Sequence, residues 1–313
     1  MNAEMKKPLV AVIATGGTIA SERGADGSSK PSLGGDSLLD LVSDRDIDLR
    51  AVDLMAKDSS SLTLSDMQAI SSAVEDLLHD PAIDGVVILH GTDAMEETAL
   101  LVQLQNRLTK PVILTGAQFT ADHPQADGPG NLAAAVAAAA ESSNAQRGVL
   151  VCFGGQTYPA WGLYKHSADT VTAFRQSMPL ENVSLNLPGN VGDLRVDIIA
   201  IYPGCDGALV DASLIAGAKG VVLAALGSGN ATPAVVDAVR RATTSGIPVV
   251  VSSRVPQGLL VASYGGGGGG HDLALAGAVH SDNLRPGQAR ILLASLIAAG
   301  ESTESIKAAF SAG

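Results

Sequence analysis

Aromatic residues and positive charge are both scarce in this sequence of 313 residues. Phe, Tyr and Trp together make up 3% of the chain, so it lacks the stacking platforms on which single-stranded nucleic acids bind. Lys and Arg number 20 against 32 Asp and Glu, and the resulting net charge of -12 repels phosphate backbones. We therefore expect no nucleic acid partner.

Cysteines and long apolar runs are also few. The two cysteines, Cys152 and Cys205, do not have the spacing of a metal site, and the six histidines show no metal-binding pair. Low cysteine usage predicts a reduced, cytoplasmic protein. No stretch reaches the roughly 18 apolar residues that a membrane-spanning helix needs, so we expect no membrane partner.

Hydrophobic residues nevertheless make up 46% of the chain and recur in short runs without polar alternation. Such runs are typical of strands that are buried on both faces of a parallel sheet. They predict strands at 9–14, 85–89, 111–114, 149–153, 220–225 and 248–252. The segments between them predict helices at 64–80, 96–107, 130–141, 232–245 and 286–299. This alternation predicts an α/β fold.

The texture of the sequence changes between about 179 and 202, where Asn, Pro and Gly accumulate. We therefore expect a larger N-terminal domain over 1–188, a linker over 189–208 and a smaller C-terminal α/β domain over 209–313. The N-terminal domain should hold a parallel-rich sheet flanked by helices. Six consecutive glycines at 265–270 predict a flexible surface loop.

Polar residues that directly follow a buried strand are the first candidates for a site, because ligands of open parallel sheets bind beyond the carboxyl ends of the strands. The first such segment is Thr15-Gly16-Gly17-Thr18, in which two glycines permit a sharp turn that presents a hydroxyl group. An ordinary strand end with capping threonines explains the same pattern equally well. The segment is not G-x-G-x-x-G, so it does not indicate a dinucleotide site.

The second such segment covers 90–97 and follows the apolar run 85–89. Asp93 and Glu96 are three residues apart, which is the spacing of a helix capping box. The alternative is a hydrolytic centre, in which Thr92 and Asp93 deliver a hydroxyl and a carboxylate together to a strand end. The residues alone favour neither interpretation.

Taken together, these motifs resemble those of a known family. Segments 14–20 (Ala-Thr-Gly-Gly-Thr-Ile-Ala) and 90–99 (His-Gly-Thr-Asp-Ala-Met-Glu-Glu-Thr-Ala) are similar to the two signature motifs of bacterial-type L-asparaginases. Blocks at 114–117, 126–132 and 252–258 resemble later segments of the same family and follow in the same order. The resemblance implies hydrolysis of L-asparagine to L-aspartate and ammonia, with no metal and no organic cofactor.

The resemblance also implies roles for individual residues. Thr15 corresponds to the family's nucleophile, which is acylated as a β-aspartyl ester. Thr92, Asp93 and Lys165 correspond to a second catalytic constellation on the other side of the substrate. A lysine held near Thr92 in a partly desolvated pocket could accept a proton, while Asp93 orients it or binds the α-ammonium group of the substrate.

Further residues are implied to bind the substrate. Ser59 corresponds to the residue that binds the α-carboxylate, and Ser60 stands beside it where the family often has Gln. Asn230 matches an asparagine that supports the site from the neighbouring subunit. The resemblance thereby implies a homo-oligomer, namely a tetramer built as a dimer of dimers.

The chain departs from the family pattern in its lid. The segment 21–36 corresponds to the mobile lid, but it contains no tyrosine where the family usually has one. Tyr164 and Tyr264 are the first candidates to replace that side chain. Tyr264 or Gly265 also stands where the family often has a glutamate from the adjacent subunit.

Three other functions remain open at this point. A glutaminase-asparaginase or a related amidase is the near alternative, because one extra methylene changes binding by only about 1–3 kcal/mol. A protein that binds amino acids without turning them over is the second alternative, because the lid tyrosine is missing. A nucleotide-binding protein is the least favoured, because the sequence has no Gly-rich phosphate loop.

Overall fold

The computed structural model describes residues 6–23, 29–31, 46–177 and 185–311. The chain divides into two compact units. The first comprises Met1–Ala160 and Lys165–Arg175, and the second comprises Trp161–Tyr164 and Gln176–Gly313. Parallel strands alternate with helices in both units, so the predicted α/β fold is confirmed.

The first unit is built on a six-stranded sheet. The sheet contains β1 (Leu9–Gly16), β4 (Asp48–Lys57), β5 (Gly85–Leu89), β6 (Val112–Thr115), β7 (Leu150–Phe153) and β8 (Gln156–Pro159). Two further short strands, β2 (Ser21–Arg23) and β3 (Ser29–Pro31), lie outside it. β2 and β3 pair with each other as antiparallel strands. The other strands form the sheet in the order β4-β1-β5-β6-β7-β8. All neighbours are parallel except β8, which is antiparallel to β7.

This strand order creates a position for a ligand. β4 lies on one side of β1, whereas β5, the next strand of the sheet along the chain, lies on the other side. The order of the strands therefore reverses between β1 and β5, and open α/β sheets bind ligands beyond the carboxyl ends of the strands at such a reversal. Ala14 of β1 is level with Leu89 of β5, so the segments that follow these two residues leave the sheet side by side.

The α-helices of the first unit lie between its strands in the sequence. They are α1 (Leu64–His79), α2 (Met95–Gln105) and α3 (Gly128–Ala140). Thr63 begins α1 with a capping box, in which its hydroxyl accepts from the backbone N–H of Asp66 and the Asp66 carboxylate accepts from the backbone N–H of Thr63. The alanine-rich α3 packs in one core cluster with Val10, Val87 and other buried residues of the sheet.

The second unit is built on a smaller sheet. Earlier in the chain, two short strands, β9 (Leu163–Lys165) and β10 (Phe174–Gln176), pair with each other, and each has residues assigned to both units. Four parallel strands then follow in the order β11 (Val196–Ala200), β12 (Gly220–Ala225), β13 (Val249–Ser253) and β14 (Val279–His280). The helices are α4 (Ala208–Ile215), α5 (Pro233–Thr244), α6 (Gly270–Leu275), α7 (Pro286–Ala298) and α8 (Thr303–Ser311).

Two segments differ from the sequence-based expectations. The segment 189–208, expected as a linker, contains β11, which pairs with β12 and so belongs to the second sheet. The glycine run at 265–270, expected as a flexible loop, is tied by hydrogen bonds, because the Asp272 carboxylate accepts from the backbone N–H groups of Gly267 and Gly269. Within the described residues, no helix is long and apolar enough to cross a membrane.

Candidate active site

The turns after β1 and β5 pack directly against each other. Gly17 has a φ of 86°, and a Cβ atom on it would lie 2.5 Å from the backbone nitrogen of Gly91. A Cβ atom on Gly91 would in turn lie 2.4 Å from the hydroxyl oxygen of Ser59. Only glycine permits this approach, and it brings three separate chain segments to one point beyond the sheet.

A cavity of about 240 Å³ opens at this point. It is lined by residues that follow β1, β4, β5 and β6, by the last residue of β9 and by a residue after it, namely Gly17, Thr18, Asp58, Ser59, Gly91, Thr92, Asp93, Gln118, Lys165 and Ala168. Pockets for drug-sized ligands span roughly 300–1,000 Å³, so this cavity suits a smaller molecule. Two carboxylates, an ammonium group and several hydroxyls face it, so it suits a small polar or zwitterionic ligand.

The two threonines of the first motif occupy different environments. Thr15 lies within β1 and is 2% exposed, and its hydroxyl donates to the carbonyl oxygen of Leu89 at 2.7 Å. Thr18 lies beyond the glycine turn and lines the cavity, whereas Thr15 does not. The sequence-based interpretation named Thr15 as the nucleophile, but of the two threonines in this motif only Thr18 lines the cavity. β1 extends through Gly16, which keeps Thr15 inside the sheet.

The second constellation comes together as the resemblance implies. Lys165 donates from its Nζ atom to Thr92 Oγ1 at 2.8 Å and to Asp93 Oδ1 at 2.5 Å. Thr92 is buried, while about half of the Asp93 side chain is exposed. Because Lys165 donates to the Thr92 oxygen, the hydroxyl proton of Thr92 remains available to another acceptor.

Glu96 does not form the predicted capping box. Ala94 is the N-cap of α2 and makes no side-chain capping hydrogen bond, and the Asp93 carboxylate binds Lys165 instead. The Glu96 Oε2 atom accepts a hydrogen bond from the backbone N–H of Lys165. Burial, together with the neighbouring Glu97 carboxylate, raises the pKa of Glu96 to about 8, although the hydrogen bond from the Lys165 backbone acts in the opposite direction. The capping-box interpretation was therefore wrong. Glu96 instead contacts Lys165, which is distant from it in the sequence.

Of the two serines implied to bind substrate, only Ser59 lines the cavity. Ser59 is buried, lines the cavity and accepts from the backbone N–H of Asp93 at 3.2 Å. Ser60 is exposed and does not line the cavity; its backbone N–H donates to the Asp58 carboxylate. Asp58, which sequence reasoning did not select, lines the cavity as the N-cap of the short 3₁₀ helix Ser59–Ser61.

Gln118 is a second cavity residue that sequence reasoning missed. Its Nε2 atom donates to the carbonyl oxygen of Ala168 at 2.7 Å, and its backbone N–H donates to the Asp127 carboxylate. Its Oε1 atom is buried and has no hydrogen-bond partner within the described parts of the chain. Its place in the sequence could have identified it as a candidate, because Gln118 comes shortly after β6, the strand next to β5 in the sheet.

The remaining predicted residues lie elsewhere or in part outside the described residues. Asn230 belongs to the second unit, where its Oδ1 atom accepts from the backbone N–H of Gly270 at 3.1 Å. Of the predicted lid, β2 and β3 are described, while residues 24–28 and 32–36 lie outside the described residues. Tyr164 is buried and its hydroxyl accepts from Gln257, whereas Tyr264 is largely exposed.

His90 has a structural role behind the site. It is fully buried; one ring nitrogen lies 2.7 Å from the carbonyl oxygen of Gly91, and the other lies 2.9 Å from the hydroxyl of Thr98. Burial lowers the pKa of His90 to about 4, so the imidazole is neutral, donates to Gly91 and accepts from Thr98. Across the described residues, no group of three His, Cys, Asp or Glu side chains could hold a metal ion.

Both parts of the chain match known protein families. Residues 9–188 match the family described as asparaginase, N-terminal, and residues 195–310 match the glutaminase/asparaginase C-terminal domain. The chain is 32% identical to a probable L-asparaginase of Deinococcus radiodurans, with 98% of both chains covered. It is 31% identical to a probable periplasmic L-asparaginase of Haemophilus influenzae, with 91% of this chain and 87% of the relative covered.

A solved structure gives the same result in three dimensions. The probable cytoplasmic L-asparaginase from Campylobacter jejuni superposes with a TM-score of 0.85 and 28% sequence identity, covering 97% of this chain and 99% of that one. Together, the matches to both domains and the near full-length relatives show that the chain belongs to the asparaginase family of amide hydrolases.

Proposed function

We propose that the protein hydrolyses the side-chain amide of L-asparagine to L-aspartate and ammonia, with Thr18 as its nucleophile. One observation carries this proposal: Thr18 and the Lys165–Thr92–Asp93 cluster line the same small polar cavity at the point where the strand order reverses. An amide hydrolase of this type needs a hydroxyl nucleophile and a separate group that moves protons.

The chemistry follows from these positions. The Thr18 hydroxyl oxygen bonds to the carboxamide carbon, the C–N bond breaks, and the proton from Thr18 leaves with the nitrogen as ammonia. Water then hydrolyses the resulting ester, which regenerates the Thr18 hydroxyl and releases L-aspartate. Thr92, hydrogen-bonded to Lys165, is the donor and acceptor placed to carry protons in both steps.

Substrate recognition uses the charges that surround the cavity. The carboxylates of Asp58 and Asp93 suit the α-ammonium group of an amino acid. Ser59 offers a hydroxyl to the α-carboxylate, as the family resemblance implies. Ser60 is exposed and does not line the cavity, so it is not among the proposed substrate contacts.

The test is ammonia release from L-Asn, D-Asn and L-Gln over a concentration series. We expect kcat/KM to be greatest for L-Asn. A greater value for L-Gln would assign the chain to the glutaminase-asparaginase alternative. Binding of L-Asn without release of ammonia would instead support the non-catalytic alternative. Quenching during turnover should also trap an acyl-enzyme, which mass spectrometry would assign to the peptide that contains Thr18.

We also propose that the active form is a homo-oligomer, specifically a tetramer. An apolar segment of the second unit is exposed, with Leu259 57%, Val261 55% and Tyr264 63% accessible to solvent. Exposed apolar patches of this kind are typical of association surfaces. A Cβ atom on Gly270, whose backbone N–H binds Asn230, would lie 3.2 Å from Ala262, so this segment adjoins Asn230. A second subunit on this surface would bring Asn230 close to a neighbouring chain.

Light scattering on the active protein tests this association. We expect a tetramer at assay concentration and a smaller species for Leu259→Glu with reduced activity. Leu275→Glu, which alters an exposed leucine on α6 outside this segment, is the matched control. An active monomer would contradict the proposal.

The proposed location is the cytoplasm. Both cysteines, Cys152 and Cys205, are buried free thiols, which is typical of a reducing compartment. The structural relative from C. jejuni is described as cytoplasmic, whereas the relative from H. influenzae is described as periplasmic. Fractionation of the source cells, with activity followed in each fraction, tests the location.

A further inference from the structure

Lys165 is held at both ends by one short segment of the chain. At its ammonium end, Nζ donates to Thr92 Oγ1 and Asp93 Oδ1. At its backbone end, the N–H group donates to the Glu96 carboxyl oxygen. Thr92, Asp93 and Glu96 all lie within the five residues 92–96, which lead into α2. The segment 92–96 therefore holds both the backbone and the ammonium group of Lys165.

We propose that Glu96 is a positioning residue, which anchors the backbone of Lys165 so that its ammonium group reaches Thr92 and Asp93. The inference rests on the proposed function, because it gives Glu96 a purpose only if Lys165 and Thr92 move protons. Glu96 does not line the cavity, so the role assigned to it is indirect and acts through Lys165.

The local fold gives a reason for such an anchor. β9 is three residues long and Lys165 is its last residue, so few ladder hydrogen bonds restrain it. The lysine side chain is long and flexible, so it can adopt many rotamers unless its surroundings restrain it. A displacement of about 1 Å in a reacting group can cost about a hundredfold in rate, so a fixed starting point for this side chain has catalytic value.

The charge state of Glu96 suits this task. Because burial raises its pKa to about 8, Glu96 is mostly protonated at pH 7 and acts as a neutral hydrogen-bonding group. The charged groups that act on it are Glu97 on α2, which raises its pKa, and Lys165 on β9, which lowers it. An ionised Glu96 would compete with Asp93 for the Lys165 charge. Glutamine, which is neutral and keeps an acceptor oxygen, should therefore replace Glu96 well.

The experiment compares Glu96→Met, Glu96→Gln and the control Glu75→Met, at an exposed glutamate of α1, in the full-length enzyme at pH 7. We expect Glu96→Met to lower kcat about 10- to 100-fold with KM changed less than about threefold, because the lost interaction positions a proton carrier. Glu96→Gln and Glu75→Met should keep kcat within about threefold of the original protein. Near-normal kcat in Glu96→Met, or a loss in Glu96→Gln as large as in Glu96→Met, would overturn the proposal.

The pH dependence provides a second measurement if Glu96→Met does not fold. Above about pH 8 the original protein gains a negative charge at Glu96 beside Lys165, so kcat should fall there. In Glu96→Gln, kcat should not show the decrease that ionisation of Glu96 causes above about pH 8. A pH profile of kcat identical to that of the original protein would overturn the proposal. Lys165→Met separates the two hypotheses: if it is active, the proposed function fails, whereas if it is inactive while Glu96→Met is normal, only this inference fails.

Discussion

The hydroxyl group of Thr15 donates a 2.7 Å hydrogen bond to the carbonyl oxygen of Leu89, and this bond joins the carboxyl ends of β1 and β5. The Thr15 hydroxyl therefore uses its proton in a hydrogen bond within the sheet. It supports the two turns that follow, and it leaves Thr18 as the hydroxyl of that motif at the cavity. The distinction between the two threonines is therefore open to a direct test.

Replacement of the two threonines should have opposite effects. Thr18→Ala should lower kcat for L-Asn at least about a thousandfold with the melting temperature nearly unchanged, because it removes the nucleophile. Thr15→Val keeps the shape of the side chain but leaves the Leu89 carbonyl oxygen without its donor. It should cost about 1–3 kcal/mol of stability and retain turnover. Ammonia release and thermal melting measure both effects, and the reverse pattern would restore Thr15 as the nucleophile.

The approach of Gly17 to Gly91 makes a second prediction. Gly17→Ala should lose several kcal/mol of stability and most of its activity, because the added methyl group would lie 2.5 Å from the Gly91 nitrogen. Gly155→Ala is a matched control, since Gly155 has a φ of 73° but no atom within 4 Å of a new Cβ. It should cost only about 1–2 kcal/mol of backbone strain and leave turnover unchanged. Equal losses in the two variants would show that backbone strain, and not the contact, is responsible.

His90 should make stability depend on pH. Its pKa is about 4 in the folded chain against an ordinary value of 6.5, so between these values only the unfolded chain binds the proton. The free energy of unfolding therefore rises with pH across this window, and the contribution is lost as the pH falls toward 4. His90→Asn should flatten this rise, and His123→Gln, at an exposed histidine, should not. Urea titrations at pH 4.5, 5.5 and 6.5 measure the slopes, and an unchanged slope in His90→Asn would contradict the prediction.

The sequence predicts the buried part of the fold well. The runs at 85–89 and 220–225 coincide with β5 and β12, because strands covered on both faces must be apolar throughout. β4 was missed because it is an edge strand, and Asp48, Arg50 and Asp53 interrupt its apolar pattern. Its presence is decisive for the site, since it creates the reversal of strand order beside β1.

The site itself is predictable only in part. Sequence patterns indicate that a hydroxyl follows β1, but which threonine reaches the cavity depends on where the strand ends and on the positive φ angles of Gly16 and Gly17. The three-residue spacing of Asp93 and Glu96 is typical of a capping box, but in the structure both residues contact Lys165, about seventy residues away. Such long-range contacts leave no local pattern in a single sequence.

Gln118 supports a last prediction, on substrate affinity. It lines the cavity, and its buried Oε1 atom has no partner among the residues that the structure describes, a state that costs roughly 1–3 kcal/mol. An N–H donor of the substrate would satisfy this oxygen. Gln118→Leu should therefore raise KM for L-Asn about tenfold while kcat changes less than about threefold, because the contact exists equally in the ground state and the transition state.

The control for Gln118 is Gln125→Leu, which alters an exposed glutamine in the same loop, outside the cavity lining. It should leave KM and kcat unchanged. The Nε2 bond to Ala168 is lost in Gln118→Leu, so thermal melting must accompany the kinetics. A fall in melting temperature with an unchanged KM would mean that Gln118 only braces the loop against Ala168, whereas a higher KM at an unchanged melting temperature identifies it as a substrate contact.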